Sequence, residues 1–223
     1  MVGESREPPI PDPPSRKPAT PNISGYINIV VRDRDGRIVE NRTERMHSFV
    51  SNFLSILYAL WGLGTQTAED TGGTLITINT TASTSGAYMS VNAGSGVELY
   101  GIVVGSGSQT VSAGIFKLAA QIPHGTGPGQ LYYQTTQAGS LTVSGSTTTF
   151  TFSRTFVNNS GAAINITEIG VILYVSGWNM TVTTSGATQS ADYFLIIYDV
   201  PSSTITVPNG GSVTITYTIE VSA

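Results

Sequence analysis

Residues 212–221 read SVTITYTIEV, and Val213, Ile215, Tyr217, Ile219 and Val221 alternate with Ser212, Thr214, Thr216, Thr218 and Glu220. A period of two puts the first set on one side of a pleated strand and the second on the other. The stretch therefore predicts a sheet with one face in a core and one polar face. That polar face is almost entirely hydroxyl. Threonine keeps its strand propensity there and hydrogen-bonds to a neighbour without the cost of desolvating a charge.

Outward from this strand, everything after residue 73 reads as β. Strands are predicted at 74–80, 97–104, 131–136, 147–157, 163–174, 180–184, 193–200 and 204–207, separated by Gly, Ser and Asn turns. Short strands at this spacing predict a β-sandwich or jelly roll. Ile164, Ile166, Ile169, Val171, Ile172 and Leu173 form a nearly continuous apolar run, the mark of a strand covered on both faces. Upstream, Ser48 precedes Phe49, Phe53, Ile56, Leu57 and Leu60, which recur at helical spacing, and Gly62 or Gly64 can end the helix. One core helix is expected over 48–63. A hairpin over 26–43 turns at Asp35-Gly36. Asp33 and Asp35 faintly resemble a calcium loop, but the further acidic ligands are missing.

Residues 1–24 carry seven of the eleven prolines. Such a segment forms neither helix nor central strand and runs extended. The expected organisation is an N-terminal arm, 1–24, followed by a single β-sandwich domain, 25–223. Candidate subunit-interface residues are Pro8, Pro9, Ile10, Pro11, Ile23, Tyr26, Ile27, Ile29 and Val31.

The charge distribution points the same way. Only 11% of residues are charged, and eight of the ten Lys and Arg lie in the first 45 positions. The remaining 178 residues carry two cations, Lys117 and Arg154, against seven acids, a net charge of −5. A body so poor in charge has little to keep identical copies apart. The acidic balance argues against direct nucleic-acid binding. The longest apolar run, 49–63, is short of the ~20 residues a membrane span needs, so no transmembrane span is expected.

Catalytic chemistry is sparse. With no cysteine there is no thiol nucleophile or thiolate metal site, and the two histidines, His47 and His124, show no metal spacing. Glu98, Glu168, Asp192 and Asp199 are the carboxylates that a glycosidase pair would need, without a supporting constellation. Gly105-Ser106-Gly107 follows a strand but lacks the rest of a nucleotide-binding motif. No catalytic residue, cofactor or metal is assigned. Asn22, Asn41, Asn79, Asn158 and Asn179 head Asn-x-Ser/Thr triplets and are candidate glycosylation sites; Asn165 heads a sixth inside a predicted strand.

FSRTFVNNSGAAINITEIGVIL, FLIIYDV and ITVPNGGSVTITYTIEV, with the earlier GIVVGSG and GRIVE…HSFVSNFL, resemble β-sandwich structural proteins of tailed phages and archaeal viruses. The resemblance spans residues 26–60 and 97–223 and is one of turns and strands. It implies a capsid, tail or fibre subunit of a virion that self-assembles with its own copies and with other virion proteins, and it transfers no site residues. Two rivals keep their place. One is an extracellular filament or pilus subunit assembled by strand donation. The other is a glycan-binding adhesin with Trp178, Tyr132, Tyr133 and Tyr174 as a stacking platform. An enzyme is not expected.

Overall fold

The structure is a computed structural model that describes residues 22–79 and 88–222. Its elements are β1 (Asn22–Arg32), β2 (Ile38–Arg45), β3 (Ser48–Phe49), α1 (Ser51–Leu60), β4 (Gln66–Glu69), β5 (Leu75–Asn79), β6 (Tyr88–Ser90), β7 (Gly101–Gly105) and β8 (Tyr132–Tyr133). They continue with β9 (Gln137–Ala138), β10 (Thr142–Ser144), β11 (Thr147–Val157), β12 (Ile164–Ile166), β13 (Glu168–Val182), β14 (Thr188–Asp199), β15 (Ile205–Val207) and β16 (Ser212–Ser222).

Among the described residues, two antiparallel sheets form a β-sandwich with one helix. The first has the order β10-β11-β16-β1-β2, and the second β3-β14-β13-β5-β4. In the first, β8, β9 and β10 pair in turn along one edge of β11. In the second, β7, β6 and β5 do the same along β13. β11 and β13 are thus each closed along one edge by a series of short strands, while β2 and most of β14 form the outer edges of their sheets. β12 and β15 form a separate two-stranded ladder.

β16 behaves as its alternation dictates. Val213, Ile215, Tyr217 and Ile219 are buried, and the hydroxyl set between them is half-exposed. Each inward side chain contributes ~1.5–3 kcal/mol by leaving water. Phe152 of β11 lies directly opposite Tyr217, with the rings stacked 5.4 Å apart. On the polar face Thr155 and Thr214 share a 2.8 Å hydroxyl bond across the strands.

Several boundaries differ from expectation. The helix is Ser51–Leu60, not 48–63: Ser48 and Phe49 pair with Tyr198 and Ile197 as β3, and Val50 stands at the N-cap with no side-chain cap. The hairpin is longer than 26–43. Asn22–Ser24, placed in the arm by sequence, belong to β1 and pair with Ser222–Glu220 of β16. Pro8, Pro9, Ile10 and Pro11 lie outside the described residues. Among the described residues, no helix is long and apolar enough to cross a membrane.

Candidate assembly surface

α1 begins without a side-chain cap, has no acidic residue in its first turn and no basic residue in its last. Packing must therefore hold it. Asn52 clamps it to β4: its side-chain amide donates to the Glu69 carbonyl at 2.8 Å and accepts the Glu69 N–H at 3.0 Å. Asn52, Ile56 and Ala59 form the buried face. The opposite face is also apolar. Leu54 is 65% exposed and Trp61, just past the helix, 68%; Tyr58, Leu60 and Leu63 are exposed as well. A helix that is apolar all round is normally covered on all sides.

Beside α1 the two sheets part. A groove of about 300 Å³ opens between them, and its wall is built from apolar residues, among them Phe53, Phe150, Phe152, Ile197, Ile219 and Val221. Ile23, 64% exposed, stands on its rim, and Leu54 lines the adjoining part. Helix face and groove form one apolar end of the sandwich.

The interface candidates of β1 divide here. Ile23 and Tyr26 are exposed, but Ile27, Ile29 and Val31 are buried in the chain's own core. Both edges of β1 are occupied, by β16 and β2. Those three side chains are core residues of the chain itself.

The titratable groups are tied into the fold. Glu168 is fully buried in β13 and accepts N–H bonds from Gly107, Ala119 and Ala120, plus the Tyr198 hydroxyl at 3.0 Å. A Cβ on Gly105 would sit 2.4 Å from the Glu168 carboxylate. Gly105-Ser106-Gly107 is therefore glycine-rich to let backbone close on an internal carboxylate. Arg154 is fully buried in β11 and donates to the carbonyls of Gln134, Tyr100, Ile102, Gly94 and Val97, with Tyr133 beneath the guanidinium at 4.8 Å. Burial pulls its pKa down to about 10, so it stays charged at neutral pH. It fastens the 94–102 loop to the first sheet.

Asp199 accepts the Tyr217 hydroxyl at 2.8 Å and the His47 backbone N–H, with His47 Nδ1 3.4 Å away. Burial pushes its carboxyl above the ordinary range, against the pull of those donors. Asp192 is raised as well, chiefly by burial. Glu98 accepts the His124 N–H, and His124 Nδ1 accepts the Tyr133 N–H at 3.1 Å. Each carboxylate considered for catalysis is thus engaged with neighbouring groups of its own chain. Asp33 caps its own turn, accepting the N–H groups of Asp35 and Arg37. Among the described residues, no group of three metal-ligating side chains occurs.

Of the glycosylation candidates, Asn41 and Asn179 are exposed and Asn79 is half-buried. Asn158 is not a surface acceptor. It is fully buried, donates to the Ala162 and Val207 carbonyls and accepts from Ser160. The aromatic platform is also redrawn. Tyr133 and Trp178 are buried, and Tyr132 packs against the His124 ring, tilted 57° with centroids 4.7 Å apart. Tyr174 instead joins Tyr88, Tyr100 and Tyr193, with ring centroids 5.2–5.5 Å apart for its three contacts. Those three partners come from β6, β14 and the residue before β7, too far apart in sequence for any motif to signal them. No family model matches the chain, and no curated protein and no solved structure matches it.

Proposed function

We propose that this chain is a self-assembling structural subunit, of the kind that forms the wall, tail or fibre of a virion. The observation that carries the reading is the apolar end of the sandwich. α1 and the residue after it keep Leu54, Tyr58, Leu60 and Trp61 in solvent beside a groove with apolar walls. Surfaces of this kind mark association sites, and the charge-poor body offers little repulsion between copies. The hydroxyl-rich faces of β11 and β16 add a surface that packs against a copy at low desolvation cost. Donation of β1 to a neighbour, as in a strand-exchanged pilus, draws no support from a strand already paired on both sides.

Sedimentation velocity over a range of concentrations tests the proposal. The full chain is expected to sediment as large species whose proportion rises with concentration. Leu54→Ser with Trp61→Ser should shift it towards a single 23.4 kDa species. Identical, concentration-independent monomer profiles for both proteins would refute it.

A further inference from the structure

The tyrosine cluster lies on the face of the second sheet turned away from the first. Along β13, Val171 and Leu173 turn inward, towards the groove and α1. Gly170 faces Leu118 on the other side, and the paired Tyr174 and Tyr193 follow on that outer face. Tyr88 stands on β6, Tyr174 on β13 and Tyr193 on β14, three strands that neighbour one another in that order. The three tyrosines make a row with steps of 5.5 and 5.2 Å; Tyr88 stands edge-on to Tyr174, at 69° between ring planes, and Tyr100 lies beside the row, within 30° of parallel to Tyr174 and Tyr193. Beyond Tyr193 the row meets the turn after β4, where the Thr71 N–H donates to the Tyr193 carbonyl and Asp70 is half-exposed.

The N-terminal sequence holds a matching pattern. Pro8, Pro11 and Pro14 are spaced by three, and Lys17 continues the series. A polyproline helix has three residues per turn and ~3.1 Å rise, so in that conformation these four side chains would share one edge at intervals of ~9 Å. Two successive prolines then match the length of the tyrosine row, and the lysine falls towards Asp70. Aromatic-lined grooves take polyproline segments because such a helix is already ordered and its proline rings pack against and between the aromatic side chains.

We propose that Tyr88, Tyr174, Tyr193 and Tyr100, with Asp70 at the end of the row, bind residues 8–17 of a second copy as a polyproline helix. The inference rests on the self-assembly reading and adds a second contact between copies to that of the apolar end. A second copy is the occupant because Lys17 lies five residues before Asn22, a reach of at most ~18 Å. Within one chain that reach would have to run from the end of the first sheet, around the sandwich edge, to the far face of the second, with sheets ~10 Å apart.

The test uses the full chain carrying Pro8→Ala, Pro11→Ala and Pro14→Ala, which leaves every described residue unchanged. A synthetic peptide of residues 6–18 is titrated in while the tyrosine ring resonances are followed by NMR. Saturable shifts at the four rings are expected, with affinity about tenfold weaker in a Tyr88→Ala background. A peptide with alanine at 8, 11 and 14 should not bind, and one with alanine at 13 and 18 should bind like the parent. Equal binding of all three peptides, no binding, or saturation of the rings by an oligosaccharide in place of the peptide would overturn the shelf. Mixing the arm variant with a Tyr88→Ala, Tyr193→Ala chain should produce mixed oligomers by sedimentation. Peptide binding by a chain that never associates would overturn the second-copy assignment and the assembly reading together. Association without peptide binding would overturn the shelf alone.

Discussion

Replacing Glu168 by glutamine removes one charge from the interior and should cost about 3 kcal/mol. The carboxylate takes the Ala120 N–H at 2.7 Å and the Gly107 N–H at 3.2 Å on Oε1, and the Ala119 N–H at 2.9 Å and the Tyr198 hydroxyl on Oε2. Glutamine keeps one acceptor. With its carbonyl at the Oε1 position, the side-chain NH₂ confronts the Ala119 N–H, and a buried donor without a partner costs ~1–3 kcal/mol. The Tyr198 hydroxyl can rotate to accept, so it adds little. The two surviving bonds fall from charge-assisted to neutral strength, roughly 1 kcal/mol each. Relief of the carboxylate's own desolvation offsets part of this total. For a chain of this size ~3 kcal/mol corresponds to a fall in Tm of roughly 6–12 °C. Calorimetry at a fixed protein concentration measures it, since association would make Tm depend on concentration. Tyr198→Phe removes a single bond and should cost about 1 kcal/mol. A glutamine variant melting within about 1 °C of the parent would refute the claim that this carboxylate organises the 105–120 loop.

Arg154→Met should destabilise by ~3–5 kcal/mol, because five carbonyls lose their donor at once, and chemical denaturation would measure the loss. The raised carboxyls of Asp199 and Asp192 bind protons more tightly folded than unfolded, so their contribution to stability falls as pH rises from the unfolded carboxylate range through their raised values. Asp199→Asn should flatten that part of a stability-against-pH curve, and an unchanged curve would count against it. In a glycosylating host, peptide mapping should find Asn158 unmodified, and Asn158→Ala should cost ~2–3 kcal/mol. Leu54→Ser with Trp61→Ser should leave monomer stability within ~0.5 kcal/mol while reducing association.

The sandwich was legible because β16 and β11 alternate, and burial follows that alternation over Phe152–Phe156 and Val213–Ile219, breaking at Phe150 and Val221 where the groove opens. Boundaries failed where side chains diverted the backbone. The predicted strands at 97–104 and 131–136 shrink to Gly101–Gly105 and Tyr132–Tyr133. The carbonyls of Val97, Tyr100 and Gln134 turn to the Arg154 guanidinium, and a lone arginine in the sequence gives no hint of that. The predicted strands at 163–174 and 180–184 are mostly one strand, β13. Ser176-Gly177 reads as a turn but is absorbed as an irregularity, with Gly177 at φ +77°. β4, β6 and β9 are too short for any period to show. The apolar helix was visible from its spacing, but the exposure of its second face depends on what packs against it. The tyrosine row depends on the register of three strands.

Electron microscopy of the purified full chain tests the central claim most directly. The account predicts filaments, tubes or shells built from repeated copies, lost when Leu54 and Trp61 are replaced by serine. Monodisperse particles of a single 23.4 kDa chain at every concentration would contradict it.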